Sequence, residues 1–260
     1  MLAVLSPAKS LDLEPAPEEL PHTQPALLAE TARLAVTARR QSSKKLMALM
    51  HISGKLADLN RERFAAWSEE HTPLNSKQAA LMFAGDTYRG FDAATLSAAD
   101  LSYAQDHVAI LSGFYGALRP LDLAQPYRLE MGTSLKTRRG SNLYAFWKDR
   151  ITKHLLAQLA AHEDQTIVNC ASNEYFSALQ RRKLPRVLDV QFKELRGDGR
   201  LQMISFFAKR ARGAMARYIV QERVETADGV QGFDRDGYVF QPDLSEGDTL
   251  VFSRPHPNEH

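Results

Sequence analysis

Apolar residues fall into short blocks along the chain, with a period that switches between strand and helix. Leu2-Ala3-Val4-Leu5 is a continuous apolar run stopped by Ser6-Pro7, as in a short buried strand. Residues 14–26 hold four prolines and several acids and predict a surface loop. From 27 to 40, Leu27, Leu28, Ala32, Leu34, Ala35 and Ala38 repeat with helical spacing. Ser42-Ser43 break that pattern. Two helices follow, over 44–51 and 54–67, around His51-Ile52-Ser53-Gly54. Residues 77–84 fit helix or strand equally. Gly85-Asp86 and Arg89-Gly90 predict turns around Tyr88.

Ser97, with Asp100 three residues on, predicts a capped helix over 98–107, and 108–111 a short strand. Residues 112–132 are too broken by glycine and proline for one regular element. Asn142 is placed to cap a helix over 143–161. Residues 166–171 read as a buried strand, and Ser172 as the cap of a helix reaching about Gln180. Residues 187–195 and 200–207 alternate around Gly197-Asp198-Gly199, a hairpin signal. A helix over about 208–224 aligns Ala208, Ala211, Met215, Tyr218 and Ile219 on one stripe. The tail from 225 is turn-rich, with short strands near 238–240 and 249–252. Strands alternating with helices, plus a hairpin, predict a mixed α/β fold. No linker or repeat divides residues 1–260, so a single domain is expected.

The chain has 260 residues, of which 44% are hydrophobic and 25% charged, enough for a folded core with an ordinary surface. The single Cys170 excludes an internal disulfide framework and a zinc site built from several cysteines. No run approaches the roughly 20 apolar residues of a membrane span. The first residues lack the basic region of a secretory signal. A cytoplasmic protein without a membrane partner is therefore expected, with a monomer as the default. The net charge of +2 hides a polarised chain. Residues 1–180 balance, 181–223 carry 12 basic and four acidic side chains, and 224–260 carry two basic and eight acidic. Either the two segments neutralise each other, or the basic one faces a polyanion.

Two strand-to-turn segments carry candidate chemistry. Ser6-Pro7-Ala8-Lys9-Ser10 places a lysine and two hydroxyls at a strand's carboxyl end, where open α/β sheets bind ligands. Lys9 there is a phosphate anchor, a nucleophile or a solvated turn residue. Asn169-Cys170-Ala171-Ser172-Asn173-Glu174-Tyr175 repeats the geometry, with Glu174 as an acid–base candidate or a first-turn acid favoured by the helix dipole. Cys170 reads as an inert core thiol. Between 115 and 130, Arg119, Tyr127 and Arg128 either bind an anionic substrate or tie Asp122 and Glu130 into a network. A nucleotide, base or damaged-DNA end held by Arg119 and Arg128 and attacked through Lys9 and Glu174 is one reading of these groups. Ser6, Ser10, Tyr127, Asn169, Ser172 and Tyr175 would complete that pocket. No cofactor motif occurs, and the eight histidines are scattered, with His22, His256 and His260 near the termini. A metal site is not indicated, which argues against direct iron sequestration. Met50-His51-Ile52-Ser53-Gly54-Lys55 resembles a degenerate helix-hairpin-helix, with His51 and Ser53 in the glycine positions; an ordinary αα-hairpin is the alternative.

The segments LSPAKSLD, LMHISGKLADLN, LSGFYGALRPLDLAQPYRLEMG, NCASNEYF and ISFFAKRARGAMARYI occur in this order along the chain. In sequence and spacing they resemble the YaaA family of bacterial cytoplasmic proteins linked to peroxide stress. The resemblance implies a family-specific mixed α/β fold with a basic cleft and a helix-hairpin-helix-like element. It also implies binding of double-stranded DNA, distorted duplexes included, and a role in limiting iron and peroxide damage. The residues expected to meet DNA phosphates are Lys9, Lys55, Arg138, Arg139, Lys209, Arg210, Arg212 and Arg217. Such contacts give salt-dependent affinity with little sequence preference.

Overall fold

The computed structural model describes residues 1–257; His260 lies outside the described residues. The chain opens with β1 (Leu2–Leu5), every residue of which is buried, and β2 (Ser10–Leu11). Three helices follow the proline loop: α1 (Leu28–Arg39), α2 (Ser43–Met50) and α3 (Gly54–Ala66). Serine side chains start the last two, Ser42 accepting from Lys45 N–H and Ser53 from Leu56 N–H. The ambiguous 77–84 run resolves into both forms: β3 (Lys77–Gln78), α4 (Ala79–Met82) and β4 (Phe83–Ala84). The expected turns around Tyr88 are instead a short helix, α5 (Asp86–Phe91). Its two glycine-containing ends misled the sequence reading, because Gly90 serves a close helix crossing rather than a turn.

The helix α6 (Ala98–His107) has the capping box of Ser97 and Asp100, and runs into β5 (Val108–Ser112). The broken stretch contains β6 (Gly116–Leu118) and β7 (Leu123–Ala124). The single helix expected over 143–161 is two: α7 (Leu143–Trp147) and α8 (Arg150–Leu159). Lys148 between them has φ 49° and ψ −106°, which no helix accommodates. No glycine or proline marks that break, so periodicity ran through it. Next come β8 (Ile167–Cys170) and a four-residue α9 (Asn173–Phe176), shorter than expected and without a side-chain cap from Ser172. The hairpin is real, joining β9 (Val187–Leu195) to β10 (Leu201–Gln202). Its second strand is only two residues long, because α10 (Ser205–Gln221) begins three residues earlier than periodicity predicted. The tail adds β11 (Val239–Phe240) and β12 (Thr249–Pro255).

Seven strands lie in the order β11-β12-β9-β8-β1-β5-β6, and β10 extends β9 as an eighth. The inner pairs β12–β9, β9–β8, β8–β1 and β1–β5 are parallel, and β11, β6 and β10 join antiparallel. Central parallel strands are covered on both faces, which is why β1 and β8 read as continuous buried runs. The fold is therefore mixed α/β. From β1 the chain moves to β5 on one side and later returns to β8 on the other. Such a reversal opens a crevice at the carboxyl ends of the strands. Among the described residues no helix is long and apolar enough to cross a membrane.

The α2–α3 hairpin turns at His51, whose φ of 53° and ψ of 49° are left-handed. A glycine adopts that conformation without the Cβ conflict of an L-residue. His51 is exposed, so its side chain buries little that would offset the strain. His51→Gly should therefore raise unfolding stability by about 1 kcal/mol, read as a higher midpoint in urea.

Candidate functional site

Ser6 follows β1 and Ala171-Ser172 follow β8, and these strands pair with Leu5 beside Cys170. The two strand-end turns are thus adjacent. They are tied directly, Ser172 N–H donating to Ser6 Oγ at 2.9 Å, and Tyr88 donates its hydroxyl to Ser6 O at 3.0 Å. A cleft of about 520 Å³ opens there. Its lining combines Ser6, Lys9, Ser10, Ser172, Glu174 and Tyr175 from the turns with Lys209 and Arg212 from α10. Gly85, Asp86 and Thr87 at the start of α5, and Glu130 from the irregular stretch, complete it.

Half of the charges lining this cleft are compensated. Lys9 Nζ is 3.1 Å from Glu130 Oε2, and Arg128 is 3.2 Å from the other oxygen of Glu130. Arg89 lies 3.6 Å from Asp86. Glu174 Oε1 accepts the Gly132 N–H at 2.9 Å, and Tyr144 donates its hydroxyl to the Glu174 carbonyl. Among the described residues Glu174 has no cation within ion-pair distance, and neither Lys209 nor Arg212 has a carboxylate. The Arg212 Nε is buried without an acceptor. Burial holds this guanidinium below its ordinary pKa, the neighbouring Cys170 opposing the shift slightly. Burial also pushes the Cys170 thiol up to about 12, so it is a protonated wall of the cleft. Tyr175 is likewise shifted upward, by burial first and by Tyr127 and the Glu174 and Glu130 carboxylates after it.

The other residues singled out from the sequence lie elsewhere. Arg119 does not line the cleft: it sits 3.4 Å from the buried Asp122, whose other carboxylate oxygen accepts the Arg119 N–H at 2.8 Å. Tyr127 is buried, its hydroxyl 2.6 Å from Ser112 Oγ. Asn169 bridges Asp189 and Ala171 N–H behind the turn. Arg128 reaches the cleft only through Glu130. On α10, Arg210 turns to Asp236, and Arg217 holds the Phe91 and Asp92 carbonyls that end α5. Lys55 is exposed at the start of α3. Arg138 and Arg139 line a separate depression of about 380 Å³ with Arg33, Arg40 and Phe146. Arg139 is held there by Glu30 and lies over the Phe146 ring.

The basic and acidic segments are partly joined to each other. Arg186 pairs with Asp248 at 2.7 Å and Arg210 with Asp236 at 3.1 Å. Arg181 pairs with Asp189, and Arg223 with Asp100. Much of the local charge excess is thus consumed within the protein, and Lys209 and Arg212 stand out as cations aimed into a concavity. Sequence reasoning missed Asp86 and Thr87, because the segment read as a turn with no chemical motif. It also treated the histidines as scattered, whereas the fold brings the His107 and His162 rings to 4.5 Å. Among the described residues no three His, Cys, Asp or Glu side chains are grouped to hold a metal ion.

Residues 1–244 match the family described as peroxide stress protein YaaA. A UPF0246 protein of Roseobacter denitrificans is 50% identical over 259 residues, covering 99% of each chain. UPF0246 proteins of Burkholderia mallei and Burkholderia pseudomallei are each 51% identical over 257 residues, covering 98% of both chains.

Proposed function

This chain belongs to the peroxide stress protein YaaA family, and from that premise we propose that it acts in the cytoplasm by binding double-stranded DNA. The observation that carries the reading is the pair Lys209 and Arg212, two uncompensated cations lining one cleft at the sheet's switch point. An unpaired, desolvated guanidinium is costly unless an anion joins it. A backbone phosphate supplies that anion, and an arginine binds it bidentately. Ser6, Ser10, Thr87 and Ser172 add hydroxyls that suit phosphate oxygens. Lys55 and the Arg138–Arg139 depression add positive surface outside the cleft. Binding of this kind would shield DNA under peroxide stress and so limit iron-dependent damage.

The test is duplex binding by fluorescence anisotropy across a salt series. Each phosphate contact contributes roughly −0.9 to the slope of log affinity against log salt. Replacing Lys209 and Arg212 together by alanine should reduce the slope by about 2 and weaken binding at every salt. Arg210→Ala and Arg217→Ala, whose partners are internal, should leave the slope nearly unchanged. An unaltered slope in the Lys209/Arg212 variant would remove the cleft from the binding surface.

A second reading rests on Lys9 and Glu174 lining the same cleft. An enzyme acting on a nucleotide or DNA end would lose strand cleavage or base release in Lys9→Ala or Glu174→Gln, visible on a denaturing gel.

A further inference from the structure

Deep in the aromatic core lies a polar cluster that the cleft does not use. Tyr115 follows β5 and is fully buried, and its hydroxyl has three nitrogen neighbours. The oxygen accepts the Trp67 indole N–H at 3.1 Å and the Gln125 main-chain N–H at 2.9 Å. A phenol oxygen that accepts twice sends its own proton elsewhere, and His71 Nε2, at 3.0 Å, receives it. The His71 proton is thereby assigned to Nδ1, which faces the Glu69 carbonyl at 3.2 Å. The opposite tautomer, with Nδ1 accepting from Gln125 Nε2 at 3.4 Å, would leave the phenol proton without an acceptor. His71 is also buried, and burial lowers its pKa, so the ring is a neutral base at pH 7. Burial likewise holds the Tyr115 phenol far above its ordinary pKa. At rest the phenol therefore keeps its proton, hydrogen-bonded to a base that can take it.

We propose that Tyr115 and His71 are a redox-active pair: Tyr115 gives one electron to a strong one-electron oxidant of the hydroxyl-radical class while its phenol proton crosses to His71 Nε2. The Tyr115 O–H bond breaks, an N–H bond forms on His71, and a hydroxyl radical that gains the electron becomes hydroxide. What remains is a neutral tyrosyl radical beside an imidazolium, which donates to the Tyr115 oxygen and to the Glu69 carbonyl. Without the base, oxidation would leave a phenol cation in the core, and a buried charge is costly unless it is hydrogen-bonded and compensated. A string of aromatic rings joins the pair to the cleft. Ring centroids are 5.4 Å apart from Tyr115 to Tyr127, 6.3 Å from Tyr127 to Phe83 and 5.4 Å from Phe83 to Tyr88. Tyr88 in turn bonds the Ser6 carbonyl at the cleft. Among the described residues the Tyr127 and Tyr88 hydroxyls meet a serine hydroxyl and a carbonyl, neither of them a base that holds a proton. The oxidising equivalent therefore settles on Tyr115. This activity does not depend on DNA binding.

The experiment uses the full chain without DNA, oxidised by photoexcited ruthenium tris-bipyridine with persulfate and frozen for electron paramagnetic resonance. A persistent tyrosyl radical should form, and Tyr115→Phe, which keeps the ring and its packing, should abolish it. His71→Gln retains an acceptor near the phenol but is a far poorer base. It should slow radical formation about a hundredfold, the low end of what a positioned general base contributes. Urea unfolding midpoints establish that each variant is folded. The unmutated protein gives a reading that needs no variant. With isotopically labelled histidine, electron–nuclear double resonance should show an exchangeable imidazole proton bonded to the phenoxyl oxygen. No persistent radical, or one unchanged in Tyr115→Phe and so carried by another of the eight tyrosines, would overturn the proposal. Unchanged formation in folded His71→Gln, or no imidazole coupling in the unmutated protein, would remove His71 as the base and overturn the pair.

Discussion

Gly213→Ala is expected to destabilise the protein by on the order of 3–5 kcal/mol and to disorganise the cleft. Helices α5 and α10 cross with their backbones in contact. A Cβ on Gly213 would lie 1.7 Å from the Thr87 carbonyl oxygen and 2.8 Å from the Phe91 nitrogen. On the facing helix, a Cβ on Gly90 would lie 2.0 Å from the Arg210 carbonyl oxygen. These neighbours are main chain, so no side-chain rotation relieves the overlap and one helix must move. The move is not local. Asp86 and Thr87 of α5 and Lys209 and Arg212 of α10 all line the cleft, so separating the helices displaces four lining residues together. Urea unfolding should show a lower midpoint, and duplex binding should fall even where the variant is folded. Gly54→Ala is the matched control. Its nearest neighbour would be the Met47 sulfur at 3.9 Å, and it occupies the first residue of α3. That change should be neutral or slightly stabilising, since alanine favours a helix.

Glu194→Ala should cost about 3–5 kcal/mol, the range for removing one partner from a buried charged network. Glu194 on β9 is fully buried. Its Oε1 accepts the Tyr238 hydroxyl and lies 3.6 Å from Arg254 Nε, and its Oε2 accepts the Ile204 N–H at 3.2 Å. Ile204 immediately precedes α10, which has no side-chain cap of its own. The carboxylate thus stabilises the positive end of the helix that carries Lys209 and Arg212. Without it, Arg254 would remain stacked on Phe207 and Tyr238 and bonded to the Asp236 carbonyl, with no ion-pair partner among the described residues. Burial and the Glu194 carboxylate together hold the Tyr238 hydroxyl well above its ordinary pKa, so it remains a donor. Glu194→Gln retains size and one acceptor and should fall between the parent and alanine in unfolding midpoint. Equal stability of all three proteins would mean that the network contributes nothing to the fold.

The strand-end turns were legible because their signals are local. An apolar run ending in Ser6-Pro7, and another ending at Ala171-Ser172, place polar residues where parallel strands stop. The capping box at Ser97 and Asp100 is local too, and the helix over 98–107 follows from it without adjustment. Lys148 is the opposite case, since nothing in its neighbours' types announces a helix break. The charge pattern was legible as an alternative but not as a choice. Sequence showed a basic segment before an acidic one, and only the fold could say that Asp236 and Asp248 would reach Arg210 and Arg186.

The sequence by itself determined the mixed α/β class, the two strand-end turns with Lys9 and Glu174, the burial of Cys170 and, through five ordered segments, the family. Those properties depend on residue type and short spacing, which the chain carries whatever its path. Tertiary structure decided the rest. It left Lys209 and Arg212, rather than Arg119, Arg210 or Arg217, as the cations of the cleft without a carboxylate partner among the described residues, and it added Asp86, Thr87 and Glu130. The reason is physical: whether a charge is free depends on the distance to an opposite charge. That distance is set by strand order and by a glycine crossing of α5 and α10, neither of which short-range pattern encodes.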